Sequence, residues 1–404
     1  MAKEHLITGL DIGSSSVKVL VVQDNPKNEK LHVVSQIQEQ SSGIRKGVVV
    51  NVEEVADIIA SSLEKAKEES RQKIGEVFVN IGGSHIFCLP SQGLVSVSRA
   101  DQKISREDIE RALSAAQIFP LSSNKEILDV VPKEFIVDGE RGVKDPLGLK
   151  GVRLEVGALA LGCFSPYLKN LTQAVLGAGV QINDLFFTPV ASSRAVLKPK
   201  EKELGVALLD IGAGTSSLAV FEEGSLIHTA IFPFGSANIT NDIAIIFKID
   251  VDTAEEIKLK FGSCFYSKGN KKEKIKSEFL PEPLTFSRKN LVDIIEARVS
   301  EIFTQVNKEL KKISRYALLP SGIVLTGGGA NMPKIIELAK KELKLPCRLG
   351  LPQGFSSLEE DSAFSTACGL ILLSLDNQES QHYYSGSGKG FSGKLKKIFR
   401  IFVP

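Results

Sequence analysis

The sequence predicts an α/β protein built from two related lobes. Residues 6–23 read LITGLDIGSSSVKVLVVQ, and residues 206–222 read VALLDIGAGTSSLAVFE. Each segment is an apolar run, an Asp-Ile-Gly triplet, a few small residues and a second apolar run, which is the pattern of a β-hairpin with a tight turn. Because the same unit recurs in both halves of the chain, we expect two similar lobes that face each other.

Helical and strand patterns alternate around the two hairpins, which predicts layered α/β domains. Helices are predicted at residues 52–70, 239–247, 253–260 and 291–313, and strands at 77–81 and 322–326. A further helix is expected to open near Pro333, a residue suited to a first helical turn, and to end near Leu343. The apolar run at 363–375 is too short to cross a bilayer and predicts a core helix.

Composition excludes several classes of protein. The formal net charge is +2 over 404 residues, whereas nucleic-acid binders usually carry a clear basic excess. The five cysteines are scattered without a Cys-x-x-Cys pair, which predicts reduced thiols rather than disulfides or a zinc site. The first residues lack the pattern of a signal peptide. We therefore expect a cytoplasmic protein that contacts any membrane from one side.

Three glycine-rich motifs form the candidate site: the two Asp-Ile-Gly turns and a Gly-Gly-Gly run. Glycine lets backbone N–H groups approach phosphate oxygens without a Cβ atom in the way, and hydroxyl groups add further donors. The glycine run, between a strand and a helix, lets a flat ring and a ribose lie against bare backbone. The candidate residues are Asp11, Gly13, Ser14, Ser15, Ser16, Lys18, Asp210, Gly212, Gly214, Thr215, Gly327, Gly328 and Gly329.

The two aspartates predict a metal ion. A carboxylate beside a phosphate is repelled unless a cation lies between them, and Mg²⁺ that keeps its waters suits this position. Asp11 and Asp210 are therefore candidate Mg²⁺ residues, acting through water. One Asp-x-Gly turn alone is usually a plain hairpin, and one triple glycine is usually a flexible turn. The occurrence of all three, in this order, favours a nucleotide site.

The order of these motifs resembles the actin, Hsp70 and sugar-kinase superfamily, which implies an actin-like, ribonuclease H-like ATPase fold. Residues 253–258 read TAEEIK, which resembles the Ala-Glu-x-Ile-Lys segment of bacterial actins. That resemblance implies that Glu255 and Lys258 contact the ribose and base of ATP. An ordinary surface ion pair one helical turn apart is the alternative.

The block between residues 104 and 171 resembles the FtsA family of bacterial cell-division proteins. It contains a capping-box-like helix start at Ser105 and the turn sequence DPLGLKG at 145–151. In FtsA a separate subdomain called 1C sits here, whereas MreB-type and plasmid-segregating actins lack it. The resemblance implies subdomain 1A at 1–82 and 166–202, 1C at 83–165, 2A at 203–237 and 289–375, and 2B at 238–288.

Two departures from related proteins bear on activity. Gly235-Ser236 follows the second hairpin where related proteins often have Gly-Gly. No Glu or Gln stands in residues 188–193, the segment where many hydrolytic relatives orient the attacking water. Since positioning this water is a main part of phosphoryl-transfer catalysis, we expect at most a slow ATPase.

The C-terminal residues predict a flexible linker at 376–390 and a membrane-targeting amphipathic helix at 391–404. The predicted helix is too short to span a bilayer and suits the membrane interface. Its docking on the chain's own domain is the alternative. The candidate membrane-contacting residues are Phe391, Lys394, Leu395, Lys397, Ile398, Phe399, Arg400 and Phe402. FtsA proteins similarly end in a linker and a membrane-targeting helix.

The FtsA resemblance implies an ATP-binding protein that self-associates on the inner face of the membrane and tethers the tubulin-like protein FtsZ there. The FtsZ C-terminal peptide is expected at subdomain 2B, and later division proteins at 1C. Basic residues that could attract an acidic peptide are Lys248, Lys268, Lys271, Lys272, Lys274 and Lys276. The alternatives are a PilM-type pilus-assembly protein and a small-molecule kinase of the same superfamily.

Overall fold

Strands and helices alternate through both halves of the chain. The computed structural model describes residues 5–24, 30–118, 120–266, 272–275, 284–359 and 361–384. The elements up to residue 204 are β1 (His5–Ile12), β2 (Ser16–Asp24), β3 (Leu31–Gln40), β4 (Ile44–Arg45), β5 (Val48–Val49), α1 (Val52–Ser70), β6 (Glu76–Ile81), β7 (Phe87–Ser96), α2 (Arg106–Ala116), β8 (Lys125–Val137), β9 (Glu140–Val143), β10 (Arg153–Phe164), α3 (Ser165–Gly177), β11 (Gln181–Phe187), α4 (Thr188–Val196) and α5 (Pro199–Leu204).

The elements after residue 204 are β12 (Val206–Ile211), β13 (Ser216–Glu222), β14 (Ser225–Phe232), α6 (Ser236–Phe247), α7 (Val251–Phe261), β15 (Lys272–Ile275), β16 (Leu284–Ser287), α8 (Arg288–Lys312), β17 (Ile323–Thr326), α9 (Ile335–Leu343), β18 (Cys347–Leu349), β19 (Phe355–Ser356) and α10 (Ser365–Tyr384). Short 3-10 turns lie at Gly328–Asn331 and Ser362–Phe364. None of the helices within the described residues is both long and apolar enough to span a membrane.

The predicted repeat is confirmed. Strands β1 and β2 pair antiparallel with Asp11 opposite Lys18, and β12 and β13 pair antiparallel with Asp210 opposite Ser217. The first sheet has the order β11-β6-β1-β2-β3-β19, and the second has the order β14-β13-β12-β17-β18. In both sheets a parallel strand, β6 or β17, lies beside the first strand of the hairpin. Each lobe is therefore organised around one Asp-Ile-Gly turn.

The two lobes interlock through their helices. Helix α10 follows the second sheet in sequence but packs on β1 and on α4, and β19 joins the first sheet beside β3. A Cβ atom on Gly369 would lie 1.8 Å from the carbonyl oxygen of Ala191, so α10 and α4 cross in backbone contact. Helix α4 also contacts β12 and β13 of the second sheet. Movement of one lobe relative to the other must therefore involve α4 and α10.

A separate sheet, β7-β10-β8-β9, is inserted between β6 and α3, with α2 on one face. The predicted cap of α2 is confirmed, because Ser105 and Asp108 form reciprocal side-chain-to-backbone hydrogen bonds. A Cβ atom on Gly93 would lie 1.9 Å from the carbonyl oxygen of Ala112, so bare backbone at Gly93 brings α2 against β7.

This inserted sheet also contacts the second lobe. The Lys144 ammonium donates a hydrogen bond to the carbonyl oxygen of Glu223, and its nitrogen lies 3.7 Å from carboxylate oxygens of Glu203 and Glu223. Strand β14 packs against β7 and β8. The insertion thus bridges both lobes.

Three sequence-based boundaries are wrong. Helix α9 begins at Ile335, because Lys334 adopts a left-handed conformation with φ of 68° and leaves Pro333 outside the helix. Helix α10 continues to Tyr384, so residues 376–384 are not the start of a linker. Arg194 donates two hydrogen bonds to the Asp376 carboxylate, and residues 377–385 contain neither glycine nor proline. The charged composition of residues 267–282 predicts a flexible stretch, whereas β15 lies within it. The rest of that stretch and residues 385–404 lie outside the described residues.

His85 lies where the chain leaves β6 for the inserted sheet. Its ring meets the ring of Tyr167 edge to face, with centroids 5.1 Å apart, and both ring nitrogens are buried without a hydrogen-bond partner among the residues that the structure describes. Burial lowers the pKa of His85 to about 4. An unfolded histidine has a pKa of about 6.5. Between pH 6.5 and about pH 4, the unfolded chain therefore binds a proton at His85 that the folded chain does not bind.

We predict that His85→Phe weakens the acid sensitivity of folding. Stability from the neutral imidazole is present above pH 6.5 and is lost as pH falls towards about 4, and phenylalanine has no such proton uptake. Denaturant unfolding at pH 7.5 and pH 5 should show a smaller loss of stability in the variant than in the wild type. Tyr167→Phe keeps both the aromatic contact and His85, so it should keep the wild-type pH dependence; equal losses in His85→Phe and wild type would contradict the assignment.

Candidate functional site

One cavity of about 190 Å³ lies between the two lobes and contains the three glycine-rich motifs. Both Asp-Ile-Gly turns and the glycine run contribute to its wall. The sequence-predicted residues that line it are Asp11, Gly13, Ser14, Ser15, Ser16, Lys18, Asp210, Gly212, Gly214, Thr215, Gly327, Gly328 and Gly329. Residues that are distant in sequence thus share one polar pocket.

The two turns are built alike. The N–H of Gly13 donates to the carbonyl of Ser16 at 3.1 Å, and the N–H of Gly212 donates to the carbonyl of Thr215 at 2.9 Å. A Cβ atom on either glycine would lie about 3 Å from the accepting carbonyl oxygen, a distance that Cβ atoms rarely show. Glycine is therefore required for the turn geometry in both lobes.

Ser14 lines the cavity and connects the two lobes. Its hydroxyl oxygen accepts a hydrogen bond from the N–H of Gly47 at 2.9 Å, in the hairpin formed by β4 and β5. A Cβ atom on Gly214 would lie 2.6 Å from the same oxygen. The first turn of one lobe therefore lies against the second turn of the other.

The beginning of α6 closes over the second turn. The N–H of Ser236 donates to the carbonyl of Gly212 at 2.9 Å, and Ser236 lines the cavity. A Cβ atom on Gly235 would lie 2.3 Å from that carbonyl oxygen, so this position requires glycine. In the sequence Gly235-Ser236, the glycine thus has a packing role, and the serine faces the site.

Asp11 is buried, and both of its carboxylate oxygens have a partner. Lys18 Nζ lies 3.3 Å from Oδ2, and the side-chain amide of Asn80 donates a hydrogen bond to Oδ1 at 2.9 Å. The lysine places a positive charge beside the carboxylate within the cavity. Asp11 is therefore both charge-compensated and fixed in direction.

Asp210 is held by hydroxyl groups. Ser192 of α4 donates a hydrogen bond to its Oδ2, and the hydroxyl of Thr366 of α10 lies 3.4 Å from the same oxygen. Burial raises the pKa of Asp210, the nearby charge of Asp11 adds to the rise, and the hydrogen bond from Ser192 opposes it. The cavity thus contains a carboxylate for which a nearby cation would be favourable.

The glycine run packs directly on the second turn. Gly327 has a φ of 84°, and a Cβ atom there would lie 2.3 Å from Oδ1 of Asp210. A Cβ atom on Gly329 would lie 2.5 Å from Cγ2 of Ile211. These contacts leave bare backbone on the cavity wall, as a flat ligand ring would require.

Glu255 and Lys258 do not line the cavity described above. The Lys258 ammonium lies 2.6 Å from the Glu255 carboxylate and 3.0 Å from the hydroxyl of Thr240. Thr240 is one turn along α6 from Ser236, which does line the cavity. The pair thus contacts α6 one turn beyond the residue that lines the cavity. Its contact with a nucleotide stays a prediction.

Sequence analysis missed several polar residues at the site, among them Asn80, Thr188 and Thr366 of the cavity wall and Ser192, which bonds to Asp210. Asn80 carries a readable signal, because it is a polar residue in an otherwise apolar strand segment that ends in Gly82-Gly83. The three hydroxyl residues lie in or at the start of helices and are common core residues. Only the crossing of α4 and α10 brings Ser192 and Thr366 together.

The charge of the cavity suits a hydrated divalent cation. Among the described residues that line it, the charged side chains are Asp11, Lys18 and Asp210. No group of three or more His, Cys, Asp or Glu side chains that could hold a metal occurs within the described ranges. Two carboxylates suit Mg²⁺, which usually keeps several waters and takes further ligands from phosphates. The residues therefore fit Mg²⁺ together with a phosphate ligand.

Comparison with known proteins identifies the family. The profile described as "Cell division protein FtsA" matches residues 207–369, and the profile "SHS2 domain inserted in FTSA" matches residues 83–161. The cell division protein FtsA of Pseudomonas aeruginosa is 36% identical over 397 residues, covering 97% of this chain and 94% of the relative. The chain belongs to the FtsA family. FtsA of Bacillus subtilis is 34% identical over 405 residues, covering 100% of this chain and 90% of the relative.

Solved structures confirm the actin-like fold. The structure titled "PilM-PilN type IV pilus biogenesis complex" superposes with a TM-score of 0.66 over 91% of this chain and 97% of that chain, at 20% identity. MreB5 of Spiroplasma citri bound to ADP superposes with a TM-score of 0.57 over 95% and 99%, at 13% identity. At these identities the likeness concerns the fold, whereas the FtsA relatives establish the family and its role in cell division.

We predict that Asp210→Asn makes the ligand-free protein more stable and abolishes its Mg²⁺-dependent ligand binding. Because burial raises the pKa of Asp210, the folded protein loses stability as pH rises from about 4 through the pKa of this group in the folded state. Asparagine does not titrate and removes this loss. Thermal unfolding without ligand should give a higher midpoint for the variant at pH 8, and isothermal titration with Mg²⁺ and ATP should give no Mg²⁺-dependent signal.

Asp57→Asn, at an exposed position of α1, is the matched control and should change neither measurement. A lower unfolding midpoint for Asp210→Asn would show that the carboxylate stabilises the fold instead of destabilising it. Retained Mg²⁺-dependent binding would remove Asp210 from the site.

Proposed function

We propose that this FtsA-family protein binds ATP with Mg²⁺ between its lobes, self-associates on the inner face of the cell membrane and tethers FtsZ there. The observation that carries the proposal is the meeting of two Asp-Ile-Gly turns and a glycine run in one cavity. Backbone amides of the turns suit phosphate oxygens, and the bare backbone at 327–329 suits the adenosine. Family membership supplies the role in cell division.

The residues have separable roles in this proposal. Mg²⁺, when bound, would neutralise charge between the phosphates and the two carboxylates. Asp11 and Asp210 would hold it through water, and Lys18 would balance the remaining negative charge. The direction of each carboxylate is set by neutral donors, namely Asn80 for Asp11 and Ser192 for Asp210. The protein thus presents an arrangement built for holding a nucleotide.

The same arrangement favours slow hydrolysis. Helix α4 begins with TPVASS, so it brings hydroxyl groups and no carboxylate or amide side chain to this part of the cavity. Ser192 is engaged by Asp210, and Thr188 donates to the carbonyl of Ile81 at 3.0 Å. Neither is a group that can take a proton from an attacking water at neutral pH. We propose that nucleotide binding and the lobe closure it favours, rather than turnover, are the functional events.

The membrane contact is proposed from the sequence of residues 391–404, which lie outside the described residues. Four basic side chains near an anionic surface contribute roughly 4 kcal/mol, and each buried large apolar side chain adds up to about 1.5–3 kcal/mol. Ordering the backbone costs about 1–2 kcal/mol per residue and offsets much of this. A single copy should therefore bind weakly, and an assembled polymer should bind well through avidity.

Subdomain 2B is the proposed site for the FtsZ C-terminal peptide. Helices α6 and α7 pack together and expose large apolar residues, with Ile245 and Leu259 each 73% exposed. Lys248 at the end of α6 adds a positive charge. Apolar contact with nearby positive charge suits a short peptide of mixed acidic and apolar character. The inserted sheet, 1C, is the proposed contact for other division proteins.

We predict that a chain ending at Tyr384 loses ATP-dependent binding to anionic liposomes. Tyr384 ends α10, so this truncation keeps the Arg194–Asp376 ion pair that a cut at residue 375 would remove. Sedimentation with vesicles of phosphatidylglycerol and phosphatidylethanolamine should pellet the full chain, more so with ATP and Mg²⁺, and leave the truncated chain in solution. Equal pelleting of both chains would refute the membrane assignment.

A pair of point variants refines this test in the full chain. The predicted helix has an apolar face formed by Leu395, Ile398, Phe399 and Phe402. Ile398→Glu places a charge on that face, whereas Gly393→Glu adds the same charge on the opposite face. Only Ile398→Glu should abolish pelleting. Equal loss in both variants would mean that net charge, rather than an amphipathic helix, drives the attachment.

We also predict that Ile245→Glu weakens binding of a synthetic FtsZ C-terminal peptide by about tenfold or more, through loss of apolar contact and repulsion of acidic groups. Fluorescence anisotropy with a labelled peptide measures the affinity. Leu318→Glu, at a 65% exposed apolar position after α8, is the matched control and should bind as the wild type does. Unchanged affinity of Ile245→Glu would exclude this face of α6.

A further inference from the structure

Asn80 occupies an unusual position in the first sheet. It lies in β6, whose other residues from 77 to 81 are apolar, and it is only 6% exposed. A polar side chain in such a strand costs stability unless its hydrogen bonds are satisfied. Asn80 also lines the cavity between the lobes. Its presence is therefore explained by what it bonds to there.

All of its polar atoms are engaged with the site. The amide nitrogen donates to Oδ1 of Asp11 at 2.9 Å and lies 3.3 Å from the hydroxyl of Thr188, and the amide oxygen accepts the N–H of Ile12 at 2.7 Å. The first and last of these bonds hold consecutive residues of the first turn. Asn80 thus fixes both the Asp11 carboxylate and the backbone that leads from it into Gly13.

An amide is the side chain that this position needs. A carboxylate in its place would repel Asp11, and an apolar residue would leave the Asp11 oxygen and the Ile12 N–H without this partner. The amide is neutral and does not exchange a proton at working pH. Asn80 is therefore suited to orienting a charged group and unsuited to acid–base chemistry.

The bond to Thr188 ties this arrangement to the helix between the lobes. Thr188 begins α4, and its hydroxyl donates to the carbonyl of Ile81, next to Asn80. Helix α4 also supplies Ser192, which bonds to Asp210. Helix α4 therefore contacts Asn80 through Thr188 and Asp210 through Ser192. The relative direction of the two carboxylates thus depends on the position of α4 between the sheets.

We propose that Asn80 is a positioning residue that directs the Asp11 carboxylate towards the Mg²⁺ of a bound nucleotide. This inference rests on the proposed function. Lys18 holds Oδ2 of Asp11 by charge, and Asn80 holds Oδ1 by a directional hydrogen bond. Without Asn80, the carboxylate keeps its charge but loses its fixed direction.

The test is the Mg²⁺ dependence of nucleotide affinity in Asn80→Ala and Asn80→Leu. Leucine keeps most of the side-chain volume in case alanine leaves a damaging cavity. The dissociation constant of a fluorescent ATP analogue is measured with excess Mg²⁺ and with EDTA. The ratio of the EDTA value to the Mg²⁺ value is then compared with the ratio for wild type. We expect this ratio to fall by about tenfold or more, the effect of losing one hydrogen bond to a charged group, while the EDTA value changes little.

Asn307→Ala is the matched control, because Asn307 bonds to the carbonyl of Glu342 within the second lobe and does not line the cavity. It should keep the wild-type ratio. A second readout needs no nucleotide: hydrogen exchange of the Ile12 amide should be faster in both Asn80 variants, because they lack the accepting oxygen.

The outcomes separate this inference from the proposed function. If wild-type protein binds the analogue equally with Mg²⁺ and with EDTA, or not at all, the proposed function fails. If wild type shows Mg²⁺-dependent binding and the Asn80 variants keep the same ratio, the positioning role alone is overturned. Equal losses in Mg²⁺ and in EDTA would show that Asn80 merely supports the fold, which also overturns it.

Discussion

The architecture depends on keeping two carboxylates, Asp11 and Asp210, within one buried cavity. Each starts a turn of its own sheet, and each would be costly there without compensation. The protein supplies it in two different ways. A lysine and an amide support Asp11, whereas helix hydroxyls support Asp210 and leave its pKa raised. A cation shared between the two carboxylates would balance the negative charge that the protein leaves uncompensated.

Close backbone approach is the second requirement of this site. Gly235, Gly327 and Gly329 each sit where a Cβ atom would fall within 2.6 Å of the second turn. Because those contacts leave no room for side chains, this part of the cavity wall presents backbone amides and carbonyls. Equally close backbone packing occurs at Gly369, where α10 crosses α4. This crossing places Thr366 of α10 beside Asp210. Packing between lobes and composition of the site are thus set by the same contacts.

The inserted sheet extends this coupling beyond the cavity. It leaves the first sheet after Gly82-Gly83, which line the cavity, and it reaches the second lobe through Lys144. Its other anchor is the aromatic contact of His85 with Tyr167. A change in lobe angle therefore acts on a subdomain that touches both lobes. This arrangement suits a protein whose proposed partners must respond to the state of a nucleotide.

The sequence by itself determined the two hairpins, the glycine run, the capped helix of the insertion and the family, because turn chemistry and periodicity act over a few neighbouring residues. Tertiary structure decided the rest of the site. Asn80 reaches Asp11 across 69 positions and Thr366 reaches Asp210 across 156, and no local pattern encodes such pairs. It also decided where helices begin and end: the ion pair of Asp376 with Arg194 lies within an α10 that continues into a stretch whose polar composition alone predicts a linker. Burial and distant partners, rather than propensity, set these features.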